Sequence, residues 1–278
     1  MERPIITYFL TFLVTFGLLS CATPPEKAES VEETPEKPKF IEVAERDAAI
    51  IGQKIWMNEG SAKIENLTVW NTGETFASLG IGHFIWYPVG QEGPFQESFP
   101  QLLTFLQQQN LTLPLWLQNT SDCPWNTREE FYQDIQSSRM VSLRDMLKNT
   151  IPQQVQFIIR RLEQALPKML NVLLTEEQKA HVRNQFYRVA QTPMGVYALV
   201  DYVNFKGEGV SPKERYNGQG WGLLQVLENM SGRSDNVMAE FAKAADFVLS
   251  RRVQNAPKDE SRWLPGWRNR LKTYTYDL

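Results

Sequence analysis

Between positions 41 and 57 apolar residues recur at helical spacing, with Val43, Ala44, Ala48, Ile51 and Ile55 on one stripe, and Gly60 stands where such a helix would stop. The period then changes. Positions 67–87 are rich in β-branched and aromatic residues and are broken by the turn signal Asn71-Thr72-Gly73, so they predict a hairpin or small sheet. Helical spacing returns at 99–109, 127–148, 152–170, 176–190, 194–204, 222–230 and 235–253. Thr175 and Gln178 are spaced for a capping box at the head of the 176–190 helix, and Pro152 and Pro193 suit the first turns of two others. The pattern predicts a mainly α fold with a small β-hairpin or sheet near the N-terminus, of the α+β class. From position 40 onward roughly 240 residues are available, enough for one large domain or two closely packed lobes.

The first twenty residues do not share this pattern. One Arg precedes an apolar run (Ile5, Ile6, Phe9, Leu10, Phe12, Leu13, Val14, Phe16), which ends in Leu18-Leu19-Ser20-Cys21. Segment 1–20 resembles a bacterial lipoprotein signal peptide, which implies that Cys21 is lipidated and anchors the chain to a membrane. The run is short for a full span and lacks a basic stop-transfer patch. Ala22 stands where inner-membrane lipoproteins usually carry Asp, so the resemblance implies an outer-membrane lipoprotein facing the periplasm. Segment 21–39 is rich in Pro, Glu and Lys and reads as a disordered, semi-extended tether. The domain proper is then 40–278.

Composition removes several function classes. A net charge of −3 gives no footprint for nucleic acid. With Cys21 lipidated, Cys123 is the one remaining thiol and no intramolecular disulfide can form. His83 and His181 have no His or Cys nearby at ligand spacing, so neither a metal nor a cofactor is expected.

Two constellations carry candidate chemistry. In the first, a predicted helix ends in Asn58-Glu59-Gly60, and the β segment that follows closes on Ser78-Leu79-Gly80-Ile81-Gly82-His83. Glycosidic cleavage requires a carboxylic acid whose surroundings raise its pKa, and Ile55, Trp56 and Met57 supply apolar neighbours for Glu59. The order of helix, Glu-Gly, hairpin and glycine run resembles the phage-type lysozymes. That resemblance implies a lysozyme-like fold with Glu59 as the acid, Ser78 as the hydroxyl that helps place water, and Gly80 to His83 as the glycine-rich strand. The family's hairpin Asp has no match near Thr72, where the nearest carboxylate is Glu74. His83 reads foremost as a locally satisfied strand residue, with substrate contact as its alternative.

In the second, Phe205-Lys206-Gly207-Glu208-Gly209 closes a predicted helix, and Tyr216-Asn217-Gly218-Gln219-Gly220-Trp221 leads into Gly222-Leu223-Leu224-Gln225. This resembles the soluble lytic transglycosylases, in which a helix-ending Glu precedes a Gly-Leu-Met-Gln run. The family uses one Glu as acid and then base and releases an anhydro sugar. Glu208 matches that Glu and Gly222 to Gln225 the run, whereas Gly209 stands in place of the family's Ser and Leu224 in place of its Met. A glycine- and polar-rich stretch between apolar helices is expected to line a cleft.

One domain needs one active site, so the two segments are expected to share a cleft. Glu59 is the expected acid, with Glu208 and Gln225 across the groove, and the reverse order remains open. Tyr216 and Trp221 are candidate sugar contacts. Of the eight tryptophans, most are expected in the core, and the stretch from Trp263 to Arg270 is the leading candidate for a surface role. The expected function is an outer-membrane-anchored enzyme that cleaves peptidoglycan. The alternatives are a non-catalytic lipoprotein that binds glycan or a partner, and an enzyme acting on another polysaccharide such as chitin.

Overall fold

A computed structural model describes residues 40–60, 62–93 and 95–276, the side chains of Glu59 and Gly60 excepted. The signal-peptide, Cys21 and tether readings therefore lie outside the described residues. Helix α1 (Glu45–Gly60) starts four residues later than its apolar pattern implied. The preceding segment is held differently, with the Ile41 N–H donating to Glu163 Oε1 at 2.6 Å. Ala48, Ile51 and Ile55 of the stripe are buried.

A three-stranded antiparallel sheet follows, with β1 (Thr68–Val69), β2 (Ala77–Leu79) and β3 (Phe84–Trp86) in that order. Leu79 pairs with both Thr68 and Phe84. The β2–β3 turn is the glycine run: Gly80 (φ 69°) and His83 (φ 46°) are left-handed, and the Ile81 N–H donates to Gln154 Oε1 at 3.0 Å. Gln154 is fully buried, and its amide nitrogen also donates to Leu147 O at 2.5 Å, so one side chain fixes the turn to the helix beneath it.

Next come α2 (Phe99–Gln108) and the short α3 (Leu115–Gln118). The predicted 127–148 helix is two helices, α4 (Arg128–Gln133) and α5 (Ser138–Asn149). Ser137 accepts from the Met140 N–H and so caps α5, while the Asp134 carboxylate accepts from Trp125 Nε1 at 2.9 Å. Local side-chain acceptors here outcompete helix continuation. Trp70, Trp86, Trp125, Phe99 and Phe131 pack edge to face or tilted between the sheet and these helices.

The rest is a helical layer: α6 (Ile151–Asn171), α7 (Glu176–Val189), α8 (Pro193–Lys206), α9 (Leu223–Asn229), α10 (Val237–Asn255) and α11 (Leu264–Lys272). The Thr175/Gln178 capping box forms at the head of α7, and Pro152 and Pro193 sit in first turns. Residues Met194 to Tyr202 of α8 are all buried, so this helix is core on every side. Between α8 and α9 lies a small hairpin of β4 (Arg215–Tyr216) and β5 (Gln219–Gly220). Its turn residues Asn217 and Gly218 both have positive φ, as a two-residue hairpin turn requires.

Helix α11 had no place in the predicted elements. It is drawn onto α8 by Asp201, 3% exposed, whose carboxylate accepts from Arg270 Nε (2.8 Å) and Nη2 (2.7 Å), from the Tyr274 hydroxyl (2.6 Å) and from the Tyr197 hydroxyl (3.2 Å). The architecture is thus mainly helical with one small three-stranded antiparallel sheet near the N-terminus of the folded part.

Candidate functional site

Glu208 stands directly past the end of α8. Gly207 ends the helix with φ 85°, its N–H donating to Val203 O at 2.8 Å, and Gly209 turns the chain again with φ 84°. Positive φ at both positions suits glycine, which pays no Cβ penalty there. The first turn of α9 is folded against this corner: Leu223 N–H donates to Gly207 O and Leu224 N–H to Glu208 O, each at 3.0 Å. Two N–H groups that a helix start leaves without intrahelical partners are thereby used to fix the backbone around Glu208. A Cβ on Gly222 would lie 2.1 Å from Gly209 N, so glycine is required for the two segments to approach this closely.

Gln225 completes the lock. Its amide nitrogen donates to Gly209 O (3.1 Å) and its amide oxygen accepts from Gly222 N–H (3.0 Å), both bonds internal to the loop. Glu214 lies over Gly207 and accepts from the Gly209 N–H at 2.8 Å. Burial lifts the Glu214 carboxyl above its usual range, opposed by the Gly209 and Ser211 N–H groups and reinforced by the Glu208 charge.

The Glu208 carboxylate faces a cleft of about 210 Å³. One wall is a single face of α6, carrying Ile158, Arg161, Leu162, Ala165 and Lys168 at the 3- and 4-residue spacing of a helix stripe. Val200, Val203 and Asn204 of α8 form the opposite wall. The hairpin contributes Gly82 of its glycine turn and Phe84 of β3, and Gln96 just before α2 and Gln101 in its first turn complete the lining, the Gln101 amide nitrogen donating to Glu97 O at 2.9 Å. An apolar floor with amides and a few charges around it is the composition of a small-molecule or saccharide site. Within the cleft Lys168 Nζ pairs with Glu208 Oε1 at 3.2 Å. Burial pulls the Arg161 pKa below its ordinary value, and the Glu208 charge pulls it part of the way back.

The structure brings together the glycine turn and Glu208, one element from each predicted constellation. It does not bring Glu59 to the same place. Ile41 meets Glu163, whereas Gly52 packs against Ile151 and Val155, so α1 runs antiparallel to α6. At 1.5 Å per helical residue the backbone of Glu59 lies roughly 20 Å or more along α6 from Lys168, beside Tyr197, which accepts from the Asn58 amide. Glu74 sits in the β1–β2 turn, at the opposite end of β2 from the glycine run, and accepts from Asn71 Nδ2 at 3.1 Å. Ser78 is 3% exposed in the central strand, and His83 is a half-buried residue in the turn.

Tyr216 and Trp221 pack against each other on the α10 side of the loop, with ring centroids 4.5 Å apart and planes tilted by 53°. Tyr216 donates to Glu260 Oε1 (2.9 Å), and the Arg252 guanidinium lies 4.2 Å over the Trp221 ring. Among the described residues these two aromatics and Gln225 brace the Glu208 loop rather than line the cleft. Lys206 belongs to the same cluster, with its Nζ 3.6 Å above the Trp267 ring. Burial and then the Arg252 charge push its pKa down to about 7. Trp263 is half-exposed. Cys123 is buried, and burial pushes its thiol pKa up to about 12.

The residues that sequence reasoning missed are Arg161, Lys168 and Asn204 in the cleft walls and Gln154 beneath the turn. Their positions on helix faces are periodic, but nothing in periodicity says that a face lines a cleft rather than a core. Among the described residues no group of three or more His, Cys, Asp or Glu could hold a metal ion, and no helix is long and apolar enough to cross a membrane. The chain matches no protein-family model, and no curated protein or solved structure is significantly similar to it.

Proposed function

We propose that the protein cleaves a glycan strand of the cell wall, with Glu208 as the acid. The observation that carries this reading is the placement of Glu208: a carboxylate on a backbone fixed by the first turn of α9, lining a cleft together with several side-chain amides and the hairpin's glycine turn. Preorganisation of this kind is what proton delivery to a glycosidic oxygen needs. Glu208 is the one carboxylate among the described residues lining the cleft, which favours the single-acid route over a hydrolase with two opposed carboxylates. In that route the Glu208 proton passes to the leaving oxygen as the C1–O bond breaks. The sugar's own C6 hydroxyl then bonds to C1 and returns its proton to the Glu208 carboxylate, leaving an anhydro end.

In this proposal the enzyme works from a lipid anchor on Cys21, at the outer membrane and facing the periplasm. The Lys168–Glu208 ion pair supports a second reading, a glycan-binding lipoprotein on the same cleft, since Lys168 must give way before Glu208 can donate a proton. Mass analysis of the fragments released from purified peptidoglycan decides between the two. Anhydro ends that disappear with Glu208→Gln support the single-acid route, and reducing ends support hydrolysis. Glycan retained on the folded protein without any fragment released supports the binding module.

A further inference from the structure

The charges in the cleft do not cancel. Lys168 and Glu208 neutralise each other across 3.2 Å, and the remaining polar lining side chains, Gln96, Gln101, Gln164 and Asn204, are neutral amides. Arg161 is left over. It stands on the same face of α6, two turns before Lys168 and so about 10 Å along the axis. Among the described residues its guanidinium makes no hydrogen bond to the protein; it lies 6.0 Å from the Phe157 ring and feels the Glu208 charge without pairing to it. It is also partly withdrawn from water, which is the main reason its proton is held less tightly than an exposed guanidinium's. A half-buried guanidinium whose fork meets no protein acceptor is open to a ligand, and the group that matches it best is a carboxylate, accepting two parallel hydrogen bonds.

We infer that Arg161 is a specificity-determining residue that binds a carboxylate carried by the glycan, so that the cleft selects an acidic amino-sugar strand over a neutral one. This rests on the glycan reading above and narrows it to a substrate class. The Lys168–Glu208 pair and the amides are suited to uncharged sugar hydroxyls and acetamides, and Arg161 supplies the one interaction that a neutral polymer cannot use. An Arg161 without a ligand leaves one net positive charge in the cleft, and a bound carboxylate removes it.

The test is titration calorimetry of the full chain against two probes of equal ring number. One is a soluble peptidoglycan oligosaccharide bearing free lactyl carboxylates, and the other is a chitin oligosaccharide. The wild type is expected to bind the acidic probe at least tenfold more tightly. Arg161→Met should abolish that preference, weakening the acidic probe far more than the neutral one, and Arg161→Lys should retain part of it. Because Arg161→Met leaves the neutral probe as an internal control, loss of folding would show as loss of both. In that event Arg161→Lys alone carries the comparison, with a preference lower than the wild type's supporting the inference and an undiminished one overturning it. Equal affinity of the wild type for the two probes would overturn the role of Arg161 and leave the glycan reading standing. Binding of neither probe would overturn the glycan reading and this inference with it.

Discussion

Replacing Gly222 by Ala should damage the Glu208 corner far more than the same change at Gly218, and the reason is steric rather than conformational. Gly222 has φ −80°, a backbone that Ala adopts freely, but its Cβ would lie 2.1 Å from Gly209 N and 2.3 Å from Gly209 Cα. These are backbone atoms that cannot rotate away, so α9 must move off the corner. That motion breaks the Leu223–Gly207, Leu224–Glu208 and Gln225–Gly209 hydrogen bonds. At a net ~1 kcal/mol each the loss is about 3 kcal/mol. Gly218 is the opposite case, with φ 74° and nothing within 4 Å of an added Cβ, so Ala there meets only the left-handed penalty of about 1 kcal/mol. Both changes stiffen the unfolded chain equally, so that contribution cancels in the comparison. For a domain of this size 1 kcal/mol corresponds to about 2–4 °C in Tm. Gly222→Ala is therefore expected to lower Tm by about 6–12 °C and Gly218→Ala by about 2–4 °C. Thermal melts followed by circular dichroism measure both. A Gly222→Ala protein that melts no lower than Gly218→Ala would refute the claim that close backbone approach holds the corner.

Three further outcomes follow from other parts of the fold. Asp201→Asn should destabilise the protein by about 3–5 kcal/mol, because it removes the charge that Arg270 faces at 3% exposure; a urea midpoint close to wild type would contradict this. Lys206 should make stability rise with pH. Its folded pKa of about 7 lies below the value of about 10.4 in an unfolded chain, so between those limits the unfolded state binds more protons; Lys206→Met should flatten that slope in melts taken across the window. Cys123, with its thiol pKa raised to about 12, should resist an aryl disulfide reagent in the native protein and react fully in denaturant; rapid native labelling would show that the site opens.

Much of the fold could be read from the chain because its signals are local. The capping box at Thr175, the first-turn prolines and the turn at Asn71-Thr72-Gly73 each act within four residues, and each forms as expected. The departures come from interactions that a local pattern does not contain. The 127–148 stripe breaks because Asp134 serves Trp125 and Ser137 caps a new helix. Helix α11 depends on Asp201, sixty-nine residues away in the chain from Arg270. The β4–β5 hairpin carries a local signal, Asn217-Gly218, inside the glycine- and polar-rich stretch that reads as a cleft lining rather than as strands.

The candidate site divides in the same way. Glu208, the glycine run and the Gly222 to Gln225 segment stand out by residue type and spacing. That Gln225 braces the loop instead of facing a ligand, and that Arg161 and Lys168 form the cleft wall, follows only from how α6, α8 and α9 pack. The expectation that Glu59 and Glu208 face each other across one groove fails on direction: α1 runs antiparallel to α6 and carries its C-terminal end away from the Lys168 end.

The central claim is that Glu208, not Glu59, is the acid of this cleft. The most direct test is to incubate purified peptidoglycan with the wild-type chain, Glu208→Gln and Glu59→Gln, and to quantify released fragments by mass spectrometry. The account predicts release by the wild type and by Glu59→Gln, and at least a hundredfold less by Glu208→Gln, in line with the ~10²–10⁴-fold contribution of general acid catalysis. Full release by Glu208→Gln together with loss in Glu59→Gln would contradict it.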